Sequence, residues 1–295
     1  MIMHAGGAEL MILGGITLLA ATVNGALGYG FSSITVPVAL LYLTNRILNP
    51  AMVLVEIAVN VYSMFINRRG LGRVFRRVLP IVAGLIPGVL AGSYVLFRVS
   101  PDWLKLATYA LLLPVILLQA GGLRRPLGIG AEKAVAPPFG FGIGVLYSLT
   151  TISGPPLAVL LNNQGFPKED FRAALSLIRT AESVATAITY AVLGLYSVHS
   201  LKLSAAIVPS VLIGMPIGYY LIHHMNPETF RRICMSFDAW IVGFGLAKVL
   251  SALKLAEGFS SYYVLILVAA IDAVLLFFFF AKKRAAEGLT QGLAG

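Results

Sequence analysis

The 295-residue chain has little of what soluble and disulfide-stabilised proteins depend on. Charged residues make up only 12% of it, against 58% hydrophobic residues, and a soluble chain of this length needs far more polar surface. Its one cysteine, Cys234, excludes an intrachain disulfide framework and a multi-thiolate metal site. No Lys or Arg precedes the first apolar run, so we expect that run to be a retained membrane segment rather than a cleaved signal.

The net charge of +10 does not indicate a nucleic-acid partner. The cations cluster in short stretches between apolar runs, which is typical of charges that set membrane topology. The clusters are Arg68–Arg77, Arg124–Arg125, Arg231–Arg232 and Lys282–Arg284.

The apolar runs predict an all-α polytopic membrane protein. Since a helix needs ~20 residues to span a bilayer, nine segments can be drawn: 9–43, 50–66, 78–97, 103–120, 134–161, 173–195, 203–222, 233–250 and 261–281. The first and fifth are each longer than one span needs and too short for two. Both are interrupted by Gly, hydroxyl residues and Pro.

The two interruptions are the candidate site. The first contains Gly28, Gly30, Ser32 and Ser33 before Pro37, and the second runs from Ser148 to Pro156. Pro155 pushes the residue before it out of the α region, so the helix should stop near 148–154 and restart at the Pro-Pro pair. Unpaired backbone groups at membrane depth must be buried in protein or line a watery cavity. A restarted helix also directs its positive end inward, where an anion binds.

The interrupted segments begin two matching series. Pro37 precedes Pro80 and Pro87 as Pro156 precedes Pro209 and Pro216, and 50–60 lies over 172–182 without a gap. We predict a single membrane domain (1–295) with repeat one at about 9–120, a cytoplasmic loop at 121–133, repeat two at 134–250, an extra helix at 261–281 and a cytoplasmic tail at 282–295. Paired interrupted segments are the sequence signature of a transporter's binding site.

Charge distribution then favours a topology. If 134–161 is a re-entrant hairpin, the later basic clusters fall on the same side as Arg68–Arg77. The same treatment of 9–43 puts the N-terminus outside and the C-terminus in the cytoplasm. The two repeats then have opposite orientations, an inverted-repeat plan. The alternative is that each interrupted segment is a single broken span.

Charged residues within membrane segments point to the chemistry. Arg179 and Glu182 lie in the sixth segment, and Glu56 lies one turn before Asn60 in the second. Intramembrane charges usually have a partner or a task. Arg179 is predicted to be the counter-charge of an anion, held in a bidentate fork, while Glu56 or Glu182 carries a proton. The alternative is a buried ion pair of Arg179 with either glutamate that only locks the helices.

The interruptions supply the remaining candidate ligands. Hydroxyl and amide groups at two matched helix breaks favour substrate contact, whereas isolated ones more often join helices. The predicted substrate-binding residues are Gly28, Gly30, Ser32, Ser33, Asn60, Ser148, Thr150, Thr151, Ser153, Gly154 and Arg179.

Two further features indicate helix contacts. Gly84, Gly88 and Gly92 repeat at a spacing that predicts close packing of the third segment. Asp272 is expected to make a helix or subunit contact, and a proton relay through Asp272 or Asp238 is the alternative.

The interrupted, glycine-rich segments, their recurrence and the basic loops resemble the TauE/SafE sulfite/sulfoacetate exporter family, also called TSUP. The resemblance covers nearly the whole chain and is carried by Gly28–Pro37 and Ser148–Pro156. It implies export or exchange of small sulfur-containing or organic anions across the bacterial inner membrane, coupled to an ion gradient.

We therefore expect a secondary transporter with alternating access around the interruptions. An anion channel with re-entrant filter hairpins is the alternative, and an intramembrane enzyme is disfavoured because no H-E-x-x-H or G-x-S-x-G motif occurs. The expected partners are a small anion, protons and the lipid bilayer, with a homodimer as the alternative to a monomer. No cofactor, metal or nucleic acid is expected.

Overall fold

The computed structural model describes residues 7–121, 129–163, 166–221, 224, 227–256 and 258–292. Within these ranges the chain is helical and contains no strand, so the all-α prediction is confirmed. The helices are α1 (Gly7–Leu27), α2 (Phe31–Ala39), α3 (Asn45–Ile66), α4 (Arg68–Arg98), α5 (Pro101–Ala120), α6 (Ile129–Thr150), α7 (Gly154–Asn163), α8 (Lys168–Val192), α9 (Val198–Leu221), α10 (Pro227–Ala252) and α11 (Tyr263–Gly292), with a 3-10 helix at Gly258–Tyr262.

Six stretches of the described residues are long and apolar enough to cross a membrane. They are Asn45–Ile66, Arg68–Arg98, Pro101–Leu118, Val198–Leu221, Glu228–Ala252 and Gly258–Ala281. α8, which carries Arg179 and Glu182, is not among them.

The two long predicted segments each contain two helices. In 9–43, α1 and α2 are separated by residues 28–30, where Gly28 has φ +83° and Gly30 has φ +112°. These left-handed conformations suit glycine, which lacks a Cβ. In the other segment α6 and α7 are separated by residues 151–153, and Thr151 has φ +56°. Pro155 and Pro156 then occupy the first turn of α7, where a missing N–H costs least.

Glycines bring the backbones of distant helices together. On α4, Gly84 and Gly88 face the backbone of Pro137 and Phe141 on α6, so a Cβ at either glycine would overlap backbone atoms. Gly218 on α9 faces the backbone of Thr22 on α1 in the same way. Small residues allow such approach between membrane helices, and the predicted close packing of the third segment is confirmed.

The helix contacts are reciprocal between the first five helices and the next five. α4 packs against α6 and α9 against α1, while α5 contacts α7 and α10 contacts α2. α3 and α8 pack against each other, as do α5 and α10. Each interrupted pair of helices is therefore held mainly by helices from the other series.

The basic clusters differ from their predicted loop positions. Arg68–Arg77 forms the first turns of α4, where Arg73 pairs with Asp170 at 2.6 Å at the start of α8. Arg124–Arg125 lies outside the described residues. Lys282–Arg284 continues α11, which extends past the predicted end at 281 because the sequence there contains good helix formers.

Arg232 does not lie where the sequence pattern predicts. The sequence pattern places it in a topology-setting cluster, but it is buried, and its Nη2 atom lies 2.7 Å from Oδ1 of Asp272 on α11. Ser236 also donates to this carboxylate at 3.2 Å. The expected helix contact of Asp272 is therefore confirmed as an ion pair between α10 and α11, since a charge in this setting needs a partner.

Candidate functional site

An ion pair between α3 and α8 lies at the centre of the candidate site. Nη2 of Arg179 donates to Oε1 of Glu56 at 2.8 Å, and both side chains are buried. Ser32, at the start of α2, also donates to Oε1 of Glu56, and the Tyr147 hydroxyl on α6 donates to Oε2 at 2.6 Å. Glu56 thus joins four helices, and its charge is balanced by one guanidinium.

The other terminal nitrogen of Arg179 faces the first interruption. Nη1 lies 3.3 Å from Oδ1 of Asn24 and 3.5 Å from the carbonyl oxygen of Gly28. Both distances exceed the 2.7–2.9 Å that is typical of strong charge-assisted bonds. This side of the guanidinium is therefore weakly held.

Glu182 forms the matching link to the second interruption. Ser153, just before α7, donates to Oε1 of Glu182. The same oxygen lies 4.0 Å from Nε of Arg179, which has no hydrogen-bond partner. Each interruption thus places one serine on one glutamate, Ser32 on Glu56 and Ser153 on Glu182, with Arg179 between the two.

Asn60 hydrogen-bonds to the backbone of α8 at Arg179. Its Nδ2 donates to the carbonyl oxygen of Arg179 at 3.2 Å and lies 3.4 Å from Oγ of Ser183. The predicted neighbours Glu56 and Asn60 on α3 therefore both reach α8.

The hydroxyls at the end of α6 bond to their own backbone. Ser148 donates to the carbonyl oxygen of Gly144 at 2.8 Å, and Thr150 donates to that of Leu146 at 2.7 Å. The Thr151 hydroxyl donates to the carbonyl oxygen of Thr150 at 2.7 Å. These hydrogen bonds stay within the end of α6, so they are not the helix-to-helix bonds of the alternative interpretation.

Backbone geometry explains the other predicted positions. Gly30 precedes α2, and its carbonyl oxygen accepts bonds from the Ser33 hydroxyl and the Ile34 amide, both at 3.2 Å. Gly154 begins α7 beside the ring of Tyr29, where a Cβ would come within 2.9 Å of Cβ of Tyr29. Glycine therefore allows the two interruptions to approach each other.

A cavity of about 190 Å³ reaches this network between α1, α3, α8 and α9. It is lined by Asn24 and Gly28, the two residues that contact Nη1 of Arg179. It is also lined by Asn67 and by Arg172, whose Nη2 atom lies 3.4 Å from the carbonyl oxygen of Ala26 on α1. The further lining residues are Gly25, Tyr62, Ser63, Ile66, Leu175, Ser176, Met215, Pro216 and Tyr219.

Gly28 is the one predicted substrate-binding residue among those lining this cavity in the described part of the chain. Arg172 is the cationic side chain of the lining, and it is not among the predicted site residues. Its position carries a signal, because Arg172, Ser176 and Arg179 follow each other at intervals of four and three residues and so share one face of α8. The sequence reasoning also missed Asn24 and Tyr147, since nothing in their local sequence indicates the partner across the bundle.

No group of three His, Cys, Asp or Glu side chains suitable for a metal ion occurs in the described ranges. The contacts described above come from one guanidinium, two carboxylates, hydroxyls, amides and backbone carbonyls.

Comparison with known proteins identifies the family. The family described as "Sulfite exporter TauE/SafE" matches residues 13–244, which include both interruptions and α3 and α8. The chain belongs to the TauE/SafE family. As a TauE/SafE protein whose described residues include six apolar helices of spanning length, it is a multi-pass membrane protein, and its family is one of transporters.

The chain is also similar to the "Probable sulfite/organosulfonate exporter TauE" of Cupriavidus necator. The two are 26% identical over 184 residues, which cover 61% of this chain and 70% of the relative. No solved structure matches the chain.

Proposed function

We propose that this protein is a secondary transporter that exports a small sulfur-containing or organic oxyanion, such as sulfite or sulfoacetate. The observation that carries the proposal is the cavity lined by Arg172, Asn24 and Gly28, because the last two of these residues contact Nη1 of Arg179. Family membership and the name of the C. necator relative support the substrate class.

The cavity has the size and chemistry for such a solute. Pockets for drug-sized ligands typically have volumes of ≈ 300–1,000 Å³, and this one, at about 190 Å³, suits a smaller ligand. Arg172 supplies a guanidinium fork for a sulfonate or carboxylate. Ser63, Ser176 and Asn67 supply polar groups along the wall.

Arg179 is proposed to bind the anion after it has entered the cavity. Glu56 balances its charge through Nη2, whereas Nη1 makes only long contacts to neutral oxygens. An anionic oxygen is a stronger acceptor than an amide or carbonyl oxygen. It therefore displaces Asn24 and Gly28 from Nη1 and disturbs the first interruption.

The two interruptions are proposed to act as paired gates for alternating access. Each is tied to the centre by a serine–glutamate bond, Ser32 to Glu56 and Ser153 to Glu182. Movement of Arg179 toward substrate changes the environment of both glutamates. In this proposal the remaining predicted groups, Gly30, Ser33, Ser148, Thr150, Thr151 and Gly154, contact substrate only after that rearrangement.

The reciprocal helix contacts support an inverted-repeat organisation in a single membrane domain. In this proposal α1–α5 and α6–α10 are the two repeats, the interrupted segments are broken or re-entrant, and α11 is added at the end. The exchange of partners between α4 with α6 and α9 with α1 is what a two-fold relation requires.

The cavity opening is proposed to face the cytoplasm of a bacterial inner membrane. Asn67, which lines it, directly precedes the arginine-rich first turns of α4, and arginines concentrate on the cytoplasmic side. The N-terminus then lies outside and the C-terminus in the cytoplasm. A cavity open to the cytoplasm is the state in which an exporter collects its substrate.

Binding of sulfite and sulfoacetate to the purified protein tests this proposal. Arg172→Ala removes a charge-assisted contact, which contributes roughly 1.5–3 kcal/mol, and should weaken binding about 10- to 100-fold. Arg172→Lys should lose less. Arg69→Ala is the matched control, because it removes one exposed charge near the same opening and does not line the cavity.

Thermal stabilisation by each anion provides the readout, since a ligand that binds only the folded state raises the unfolding temperature. Equal binding by wild type and Arg172→Ala would exclude this cavity as the entry site. In proteoliposomes, saturable flux supports a carrier, whereas single-channel currents would support the channel alternative.

A further inference from the structure

A second, much smaller pocket lies where the two interruptions meet α10. It has a volume of about 10 Å³, room for about one water molecule. Gly30 and Ser33 line it from the first interruption, Pro155 from the second, and Asp238 from α10. No lining residue is shared with the larger cavity, so the two spaces are separate.

Asp238 presents a buried carboxylate to this pocket. Its side chain is 6% exposed, and Oδ1 has no hydrogen-bond partner. Ser33 interacts with the same carboxylate. Among the described residues no ion pair includes Asp238, which distinguishes it from Glu56, Glu182 and Asp272.

Within the described part of the chain, the titratable groups around Asp238 do not supply a cation. Tyr29 and Cys234 line the pocket with it. Of the helices that pack on α10, α5 presents the Tyr109 hydroxyl, which donates to the carbonyl oxygen of Pro37 at 2.9 Å. α11 presents Asp272, which is already bound to Arg232.

A buried carboxylate without a cation is costly when ionised, and it favours either a proton or a change of surroundings. We propose that Asp238 is the proton-binding group of this transporter. Its Oδ1 accepts a proton from water on one side of the membrane and returns it to water on the other, so only an O–H bond forms and breaks. This inference rests on the proposed transport function.

The position of Asp238 links its protonation to the substrate site. Ser33, which faces Asp238, lies in the first turn of α2, directly after the first interruption, and its neighbour Ser32 bonds to Glu56. A change in the bonding of Ser33 therefore acts on the start of α2, and through Ser32 on the Glu56–Arg179 pair. Pro155 brings the second interruption to the same point.

The two glutamates are less suited to this role. Glu56 accepts hydrogen bonds from Ser32 and Tyr147 as well as from Arg179. Glu182 shares the same guanidinium at 4.0 Å and accepts from Ser153. Both lie in the network proposed to respond to the anion, whereas Asp238 responds from a separate pocket.

The test measures proton movement and anion exchange in the same proteoliposomes. Full-length protein is reconstituted with a pH-sensitive dye inside, and sulfoacetate is the probe because it stays ionised near neutral pH. Labelled sulfoacetate exchanging for unlabelled sulfoacetate at equal pH reports translocation alone. Net uptake against an imposed pH gradient reports protons moved per anion.

Asp238→Asn should retain exchange and lose proton movement. Asp238→Glu keeps a carboxyl group and should retain both, with a shifted pH dependence. Glu182→Gln removes a different buried carboxylate. This variant should keep the wild-type ratio of protons to anions, whatever its transport rate.

Proton movement that persists in Asp238→Asn, or that is lost in Glu182→Gln instead, overturns the inference. If Asp238→Asn fails to fold, Asp238→Glu decides, and loss of coupling in that folded variant also overturns it. If the wild-type protein exchanges the anion without moving protons, the inference about Asp238 is refuted and the proposed transport function stands. Absence of exchange by the wild-type protein refutes the proposed function and this inference together.

Discussion

At the scale of single residues, the site depends on one buried arginine with two unlike sides. Nη2 of Arg179 is held at 2.8 Å by Glu56, while Nη1 makes contacts of 3.3 and 3.5 Å to Asn24 and Gly28. A guanidinium that neutralises one buried carboxylate and keeps a second edge weakly bonded can receive a further anion without leaving its partner.

Removing Arg179 should therefore destabilise the protein as well as stop transport. Arg179→Ala leaves Glu56 buried without a cation, and breaking such a pair costs about 3–5 kcal/mol. Adding Glu56→Gln to the same variant should recover much of that loss. Chemical unfolding in one detergent measures both variants, and equal losses in the single and double variants would contradict the pairing.

The sequence offers this pairing as the alternative to a counter-charge for an anion, because a membrane charge has few ways to be satisfied. The positions of Arg179, Glu56 and Glu182 within apolar segments are enough to make them candidates. Arg172 is not a candidate on the same grounds, because at the end of a helix an arginine usually faces solvent. Its role in the cavity depends on where α1, α3 and α9 come together, which local sequence does not specify.

At the scale of helices, glycine determines how close α4 and α6 lie. Gly88 faces the backbone of Phe141, so an added Cβ has no flexible side chain to displace. Gly88→Ala should cost about 1–3 kcal/mol, as overpacked positions do. Gly72→Ala on the same helix is the matched control, because nothing lies within 4 Å of its added Cβ.

Gly72→Ala should instead be neutral or stabilising by about 0.5–1 kcal/mol, since glycine loses more freedom on folding. Unfolding of the two variants in the same detergent measures the difference. A Gly88→Ala protein as stable as Gly72→Ala would show that the α4–α6 contact tolerates separation.

Gly30 has a different requirement, which is conformational. Its φ of +112° is rarely adopted by other residues, and a Cβ there would also come within 2.9 Å of Val23. Gly30→Ala should cost on the order of 1–3 kcal/mol and slow anion exchange. Gly15→Ala in α1, with nothing within 4 Å, is the control and should leave exchange unchanged.

The helix ends agree with those predicted from the sequence where proline or glycine determines the backbone conformation. Pro155 and Pro156 fall in the first turn of α7, and glycines separate α1 from α2. The predicted boundaries are wrong where charge is taken as a sign of a loop. The arginines of 68–77 are good helix formers and extend α4, and Arg232 is buried because Asp272 on a distant helix satisfies it.

At the scale of the whole molecule, the proposed orientation of the cavity predicts the side of the membrane from which a water-soluble reagent enters the site. Cys234 is the single cysteine of the sequence, so Cys234→Ser gives a protein without thiols. In that protein, Ser63→Cys places a thiol in the cavity wall. A membrane-impermeant maleimide should label it in inside-out vesicles, and sulfoacetate should slow the labelling.

Ser93→Cys is the control for this experiment, because Ser93 is fully buried and does not line the cavity. It should stay unlabelled from either side. Labelling of Ser63→Cys in right-side-out vesicles would reverse the proposed orientation.

The exchange of helix partners also has a consequence for biosynthesis. α1 packs against α9, and α4 packs against α6. The helices that leave the ribosome first therefore have their glycine-lined faces uncovered until the later helices are inserted. Assembly is then completed late in translation. Fragments divided between residues 121 and 129 and expressed together should complement each other, while either fragment expressed alone should be degraded.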